Sequence, residues 1–296
     1  MKQFAILQLS GCSGCEVSLL NAEEWLDQYK LVYMPLVISA EDVPEVDILL
    51  VSGSLSSDEN LYELRKAVRH ARQVIAVGTC AIAWSSMLST RAERRQQFQA
   101  DRLHLPHQLR RARPVDSQVA VDRYLPGCPP TPELFIAALS EPSDFKVPSS
   151  VCQECGRKKV KEMRPSHLVG FQKGQVLPEI CLINQGYLCI GVSTRGGCRA
   201  LCTRAGHPCV GCRGPSDAFI EKESQAWFTS IQRVFTTMTD IPVEEIIATL
   251  HSPQLGMFLY QFADYAESER EHLDARIAAA SAPEKSPPPR SKEKVM

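Results

Sequence analysis

The chain has 296 residues, of which 44% are hydrophobic, and a formal net charge of −1. This length suits about two globular domains, and the apolar content is sufficient for packed cores. The near-zero charge excludes the general attraction for nucleic acid or anionic membranes that a basic protein has, so we expect no nucleic-acid partner. The sequence also contains no run of about 18 apolar residues that could span a membrane.

The first 145 residues alternate short apolar runs with stretches of helical spacing. The pattern predicts strands over residues 4–9, 31–38, 47–51, 74–77 and 121–125, and helices over residues 17–28 and 58–72. Thr131 followed by Pro132 predicts a further helix, with the threonine as its cap and the proline at its first position. This alternation predicts an α/β fold in which helices cover both faces of a parallel sheet.

Twelve cysteines form three groups of four along the chain. The groups are Cys12, Cys15, Cys80 and Cys128; Cys152, Cys155, Cys181 and Cys189; and Cys198, Cys202, Cys209 and Cys212. Four thiolates are what one tetrahedral zinc ion or one cubane iron–sulfur cluster requires, so the count indicates three metal sites. A disulfide framework would instead require export. Because the first ten residues lack the features of a signal peptide, we expect a cytoplasmic protein whose cysteines bind metal.

The first group of cysteines follows predicted strands. Cys12 and Cys15 come after the first strand, Cys80 after residues 74–77, and Cys128 after residues 121–125. Open α/β sheets bind ligands beyond the carboxyl ends of their strands, so we expect these four thiols to converge. Each cysteine loop leads into a helix N-terminus, whose free N–H groups and dipole favour an anionic cluster.

Three segments of the chain carry a resemblance to a known family. They are Gly11-Cys12-Ser13-Gly14-Cys15-Glu16-Val17-Ser18-Leu19-Leu20, Val77-Gly78-Thr79-Cys80-Ala81 and Leu125-Pro126-Gly127-Cys128-Pro129-Pro130-Thr131-Pro132-Glu133. In this order they resemble the small, electron-transferring subunit of nickel–iron hydrogenases, most closely the soluble cytosolic methyl-viologen-reducing type. The resemblance covers residues 1–215. It implies a flavodoxin-like domain over residues 1–145, whose four cysteines hold a proximal 4Fe-4S cluster facing a separate nickel–iron large subunit.

The resemblance also implies a second, irregular, helix-containing domain over residues 146–215, which holds two further 4Fe-4S clusters. Cys152, Cys155, Cys181 and Cys189 would bind the distal cluster, and Cys198, Cys202, Cys209 and Cys212 the medial one. Residues 216–280 have apolar side chains at helical spacing and are predicted to be a helical segment. The proline-rich, charged residues 281–296 are predicted to be a disordered tail.

The resulting hypothesis is a hydrogenase subunit that relays electrons through three 4Fe-4S clusters. The chemistry of dihydrogen would lie in the large subunit, and a further redox subunit or a soluble acceptor would exchange the electrons. No residue of this chain is predicted to be catalytic. One alternative is an iron–sulfur subunit of a complex I-related quinone reductase, which shares the G-x-C and P-G-C-P-P elements. That relative has adjacent cysteines where Ser13 and Gly14 separate Cys12 from Cys15 here, and it lacks the other eight ligands.

A zinc-stabilised interaction module is the second alternative. The C-x-x-C pairs at Cys152 and Cys155, and at Cys209 and Cys212, could hold structural zinc. The near-neutral charge counts against a nucleic-acid-binding version of such a module.

Overall fold

The computed structural model describes residues 1–38, 40–83, 106, 108–140, 147–169, 176–216 and 225–250. Contacts divide the chain into two compact units, whose described parts are residues 1–140 and 147–250. The tail predicted at residues 281–296, and the predicted helical segment beyond residue 250, lie outside the described residues. Within the described ranges, no helix combines the length and the apolar character needed to cross a membrane.

The first unit follows the predicted alternation of strands and helices. Its elements are β1 (Lys2–Gln8), α1 (Gly14–Leu20), a 3-10 turn (Glu23–Trp25), β2 (Tyr29–Tyr33), β3 (Val46–Ser52), β4 (Leu55–Ser57), α2 (Asp58–Val68), β5 (Ala71–Val77), α3 (Gly78–Ala83), β6 (Gln108–Arg113), a second 3-10 turn (Val115–Ser117), β7 (Arg123–Leu125) and α4 (Pro132–Leu139). Five strands form a parallel sheet in the order β2-β1-β3-β5-β7, whereas β4 and β6 form a separate antiparallel pair. This is the flavodoxin-like order, and it confirms the predicted α/β class.

The parallel sheet is buried on both faces. Because successive side chains of a strand point to opposite faces, β1 contributes Phe4 and Ile6 to one core and Ala5 and Leu7 to the other. The first core also contains buried side chains of α1 and α4, and the second contains side chains of α2 and α3. This packing fixes the strand ends, from which the cysteine loops leave the sheet.

Four predicted elements are longer than the observed ones. The strand predicted over residues 121–125 is observed only over Arg123–Leu125, as β7. The helix predicted over residues 17–28 ends at Leu20. The chain then forms the 3-10 turn Glu23–Trp25, and Nε1 of the buried Trp25 donates to the carbonyl of Leu19 (3.0 Å). The strand predicted over residues 31–38 ends at Tyr33, before a turn in which the amides of Val37 and Ile38 donate to Met34. The helix predicted over residues 58–72 ends at Val68, so its last residues belong to β5.

The second unit consists of short helices joined by loops. Its elements are α5 (Val151–Cys155), a 3-10 turn (Ile183–Gln185), α6 (Leu201–Arg204), α7 (Gln225–Met238) and α8 (Val243–Leu250). Ile231 and Phe235 of α7 are fully buried in the same hydrophobic cluster as Cys189 and Cys209. The C-terminal helices of this unit therefore share one core with the cysteine-rich loops.

Candidate functional site

The four cysteines of the first group line one pocket at the carboxyl edge of the parallel sheet. The pocket opens to solvent at the exposed Cys12. Cys12 comes from the connection between β1 and α1, Cys15 from the first turn of α1, Cys80 from the first turn of α3, and Cys128 from the loop after β7. The structure therefore brings together thiols that lie more than 100 residues apart in sequence, as their strand-end positions predict.

Two glycines allow the backbone to approach the sulfur atoms of this pocket. Gly78 has a φ of +79°, and a Cβ added to it would lie 2.5 Å from Sγ of Cys15. A Cβ on Gly14 would lie 3.3 Å from Sγ of Cys12. The amide of Thr79 donates to the carbonyl of Gly127 (2.9 Å), which ties the Cys80 loop to the Cys128 loop. Only glycine combines a left-handed backbone with this closeness, so the loops are shaped around the thiols.

The protein surroundings raise the pKa values of two of these thiols, Cys15 and Cys80, and so favour their neutral forms. Burial raises the pKa of Cys80 to about 11, and the negative charge of Cys12 contributes further. Burial also raises the pKa of Cys15, followed by the negative charges of Glu16 and of the other three cysteines. Cys15 and Cys80 therefore hold protons at neutral pH, and a metal that binds them as thiolates must displace these protons.

A buried carboxylate lies beside the first group. Glu16 is only 1% exposed, lines the pocket and accepts a hydrogen bond from the hydroxyl of Ser52 at the end of β3. Its place next to Cys15 follows directly from the sequence. Its burial against Ser52 depends on the pairing of β1 with β3, so sequence analysis alone does not reveal it.

The second group of cysteines lies in the second unit, where its members affect one another's surroundings. Burial raises the pKa of Cys152 to about 11; the positive charge of Lys159 opposes this shift, whereas Cys181 and Cys155 add to it. Burial raises the pKa of Cys189 to about 12, and the charges of Cys152 and Cys181 act in the same direction. The charges of Cys155 and Cys181 thus reach Cys152, and those of Cys152 and Cys181 reach Cys189. Part of Cys152 reaches solvent, whereas Cys189 is buried.

The third group lies next to the second. Burial raises the pKa of Cys198, and the charge of Cys202 adds to the shift. Burial also raises the pKa of Cys209, with contributions from Cys189 and Cys212. The amide of Cys209 donates to Sγ of Cys189 (3.3 Å), so the two groups are in contact through these two cysteines.

The donor set fits iron–sulfur clusters. All twelve cysteines lie in the described ranges as reduced thiols, and the first group surrounds an open pocket with glycine backbone on its walls. A cubane distributes its four thiolate ligands over four irons, whereas zinc draws its ligands onto one ion. Over the described ranges, no group of three or more His, Cys, Asp or Glu side chains is arranged to hold a metal ion, so the fit rests on the number and the chemistry of the thiols.

Comparison with known proteins identifies relatives that extend over most of the chain. Residues 12–141, less than half of it, match the family described as NADH ubiquinone oxidoreductase, 20 Kd subunit. The chain is 33% identical over 245 residues to a subunit of the F420-non-reducing hydrogenase vhu of Methanococcus voltae, and this match covers 75% of this chain and 85% of that relative. It is 30% identical over 226 residues to the delta subunit of sulfhydrogenase 2 of Pyrococcus furiosus, covering 72% and 86% of the two chains.

A solved structure shows the same fold. The actinobacterial-type NiFe-hydrogenase from Ralstonia eutropha H16 contains a chain with a TM-score of 0.50 and 14% sequence identity. The match covers 100% of this chain and 95% of that one.

Proposed function

Because the chain belongs to the family of nickel–iron hydrogenase small subunits, of the methyl-viologen-reducing type, we propose that it relays electrons between a separate large subunit and an acceptor through three 4Fe-4S clusters. It is an electron-transfer subunit of a hydrogenase, and iron–sulfur clusters are the cofactors that its family and its cysteines imply. The match to the complex I-related family ends at residue 141, whereas the hydrogenase relatives also extend into the cysteine-rich second unit.

The observation that carries the proposal is the pocket lined by Cys12, Cys15, Cys80 and Cys128. These residues would hold the proximal cluster. A bound 4Fe-4S cluster accepts and releases one electron at a time. The chain contributes four fixed thiols and backbone that approaches them closely. Cys12 is exposed at this pocket, which supports the proposal that the pocket faces the nickel–iron large subunit.

The two C-terminal groups would hold the distal and medial clusters. The influence of Cys155 and Cys181 on the pKa of Cys152, and of Cys152 and Cys181 on that of Cys189, supports a distal site made of these four residues. Cys198, Cys202, Cys209 and Cys212 would then form the medial site. The buried Cys189 and Cys209 exclude water where the two sites approach, and the amide of Cys209 stabilises negative charge on Sγ of Cys189.

The exposed Cys152 supports an exit for electrons at the distal site. A further redox subunit or a soluble acceptor would receive the electrons there. We also place the complex in the cytoplasm, where thiols stay reduced and the twelve cysteines remain available as ligands.

Replacement of Cys128 by serine tests the assignment of the first group. Cys128→Ser should lose the proximal cluster and dihydrogen-dependent reduction of benzyl viologen, while the spectra of the other clusters persist. Cys202→Ser is the matched control, because it removes a ligand from a different group and should leave the proximal spectrum intact. Undiminished dihydrogen-dependent reduction in Cys128→Ser would show that Cys128 is not a proximal ligand. Anaerobic purification of the unmodified chain should also recover a nickel-containing partner.

A further inference from the structure

Arg213 is a charged side chain buried inside the second unit. It follows Cys212 directly and is only 3% exposed, whereas Arg199, next to Cys198, reaches solvent. Removing a cation from water is costly unless negative or dipolar groups surround it. The burial of Arg213 beside a cysteine loop therefore indicates an environment that compensates a positive charge.

The guanidinium of Arg213 is fixed between the two loops of the third cysteine group. Its Nε donates to the carbonyl of Gly196 (2.7 Å), two residues before Cys198. The chain segments on either side are paired, since the amide of Arg195 donates to Gly214 (3.0 Å) and that of Ser216 to Ser193 (2.9 Å). The side chain therefore reaches from the Cys212 loop to the Cys198 loop.

The charge of Arg213 acts on the thiols of this group. Burial raises the pKa of Cys198, and the positive charge of Arg213 is one of the influences that oppose the shift. Burial lowers the pKa of Arg213, as does the positive charge of Arg195, whereas the negative charges of Cys198, Cys212 and Glu154 oppose this shift. Glu154 also lies beside the same thiol, with its Oε2 4.0 Å from Sγ of Cys198. A cation and an anion thus flank one predicted ligand.

We propose that Arg213 raises the reduction potential of the medial cluster, an inference that rests on the proposed function and on the medial group of four cysteines. Reduction adds one electron, and therefore one negative charge, to a cluster at this position. A fixed positive charge in a poorly solvated interior stabilises that added charge more than the oxidised form. Arg213 thereby makes the medial site a better electron acceptor without taking up a proton.

The test is an EPR-monitored redox titration of the intact complex. Arg213→Met should shift the medial midpoint potential to more negative values and leave those of the proximal and distal clusters in place. Arg213→Lys should restore most of the wild-type value, because it keeps the charge. Arg199→Met is the matched control: it removes the same charge beside Cys198, but from a solvent-screened position, and should cause a smaller shift.

A medial potential that is unchanged in Arg213→Met at full iron content would overturn the inference. If Arg213→Met fails to assemble its iron, the potential of Glu154→Gln becomes the test. Loss of a negative charge beside Cys198 should shift the medial midpoint potential to more positive values. No shift, or a negative one, in Glu154→Gln would then overturn it. Absence of a third cluster in the wild-type protein contradicts the proposed function itself, which distinguishes the two failures.

Discussion

Gly78 offers a stringent test of the first cysteine group, because an added methyl group would reach a ligand sulfur. In Gly78→Ala the new Cβ would lie 2.5 Å from Sγ of Cys15, about 1 Å closer than nonbonded atoms of this size pack. The left-handed backbone, with φ of +79°, adds about 1–2 kcal/mol. Metal–ligand distances tolerate only about 0.2 Å of error, so displacement of the sulfur should abolish proximal-cluster binding.

Gly156→Ala is the matched control for this substitution. Gly156 also has a left-handed backbone, with φ of +71°, and it directly follows Cys155, but no atom of the described residues lies within 4 Å of its added Cβ. It should therefore lose about 1–2 kcal/mol of stability without losing iron. Each kcal/mol corresponds to a decrease of about 2–4 °C in the melting temperature of a chain of this size class.

Iron analysis and thermal melting of the two variants provide the measurement. Gly78→Ala should contain about four fewer irons per chain than the wild type, which is the content of one cubane. Gly156→Ala should keep the wild-type iron content with a modestly lower melting temperature. Equal iron contents in the two variants would refute the packing of Gly78 against a ligand sulfur.

Two further predictions concern stability. Phe235→Ala should destabilise the second unit by about 3–5 kcal/mol, because the fully buried ring packs in the same cluster as Cys189 and Cys209. Thermal melting measures this loss, and the proximal EPR signal should be preserved. A loss of stability below about 1 kcal/mol would contradict the prediction. In cluster-free protein, Cys80 and Cys152 have pKa values raised from 9.0 to about 11. Because the folded chain binds the protons of these two thiols more tightly than the unfolded chain does, they contribute stability that is present below pH 9 and lost as the pH rises through about 11. Melting temperatures should therefore fall across that interval. A constant or rising melting temperature would refute the prediction.

The sequence predicts the first site well because its determinants are local. Each of the four cysteines follows a short apolar run, and parallel strands of one sheet place their carboxyl ends at the same edge. The apolar runs themselves correspond to the observed strands because a sheet covered on both faces needs continuous hydrophobic segments.

Features that depend on tertiary contacts were not predictable in this way. The break after Leu20 depends on the Trp25 side chain folding back onto a backbone carbonyl. The antiparallel pair of β4 and β6 joins residues about 50 positions apart, and no periodicity signals such a pairing. The end of β2 is different, because Pro35 is a visible signal that the strand cannot continue to residue 38.

In the second unit, too, the arrangement of the cysteines depends on contacts that the sequence does not reveal. The sequence supplies eight cysteines in order, but spacing alone does not reveal that Cys189 and Cys209, 20 residues apart, touch through a backbone amide. The burial of Arg213 is equally invisible, since arginine is usually an exposed residue. Both features arise from loops that close around thiols rather than from regular secondary structure.

Metal and sulfide analysis of the anaerobically purified, full-length chain tests the central claim most directly. Three cubanes with four thiolate ligands each predict about 12 irons and about 12 inorganic sulfides per chain, with little zinc. Zinc as the dominant metal, or only about four irons per chain, would contradict the three-cluster relay.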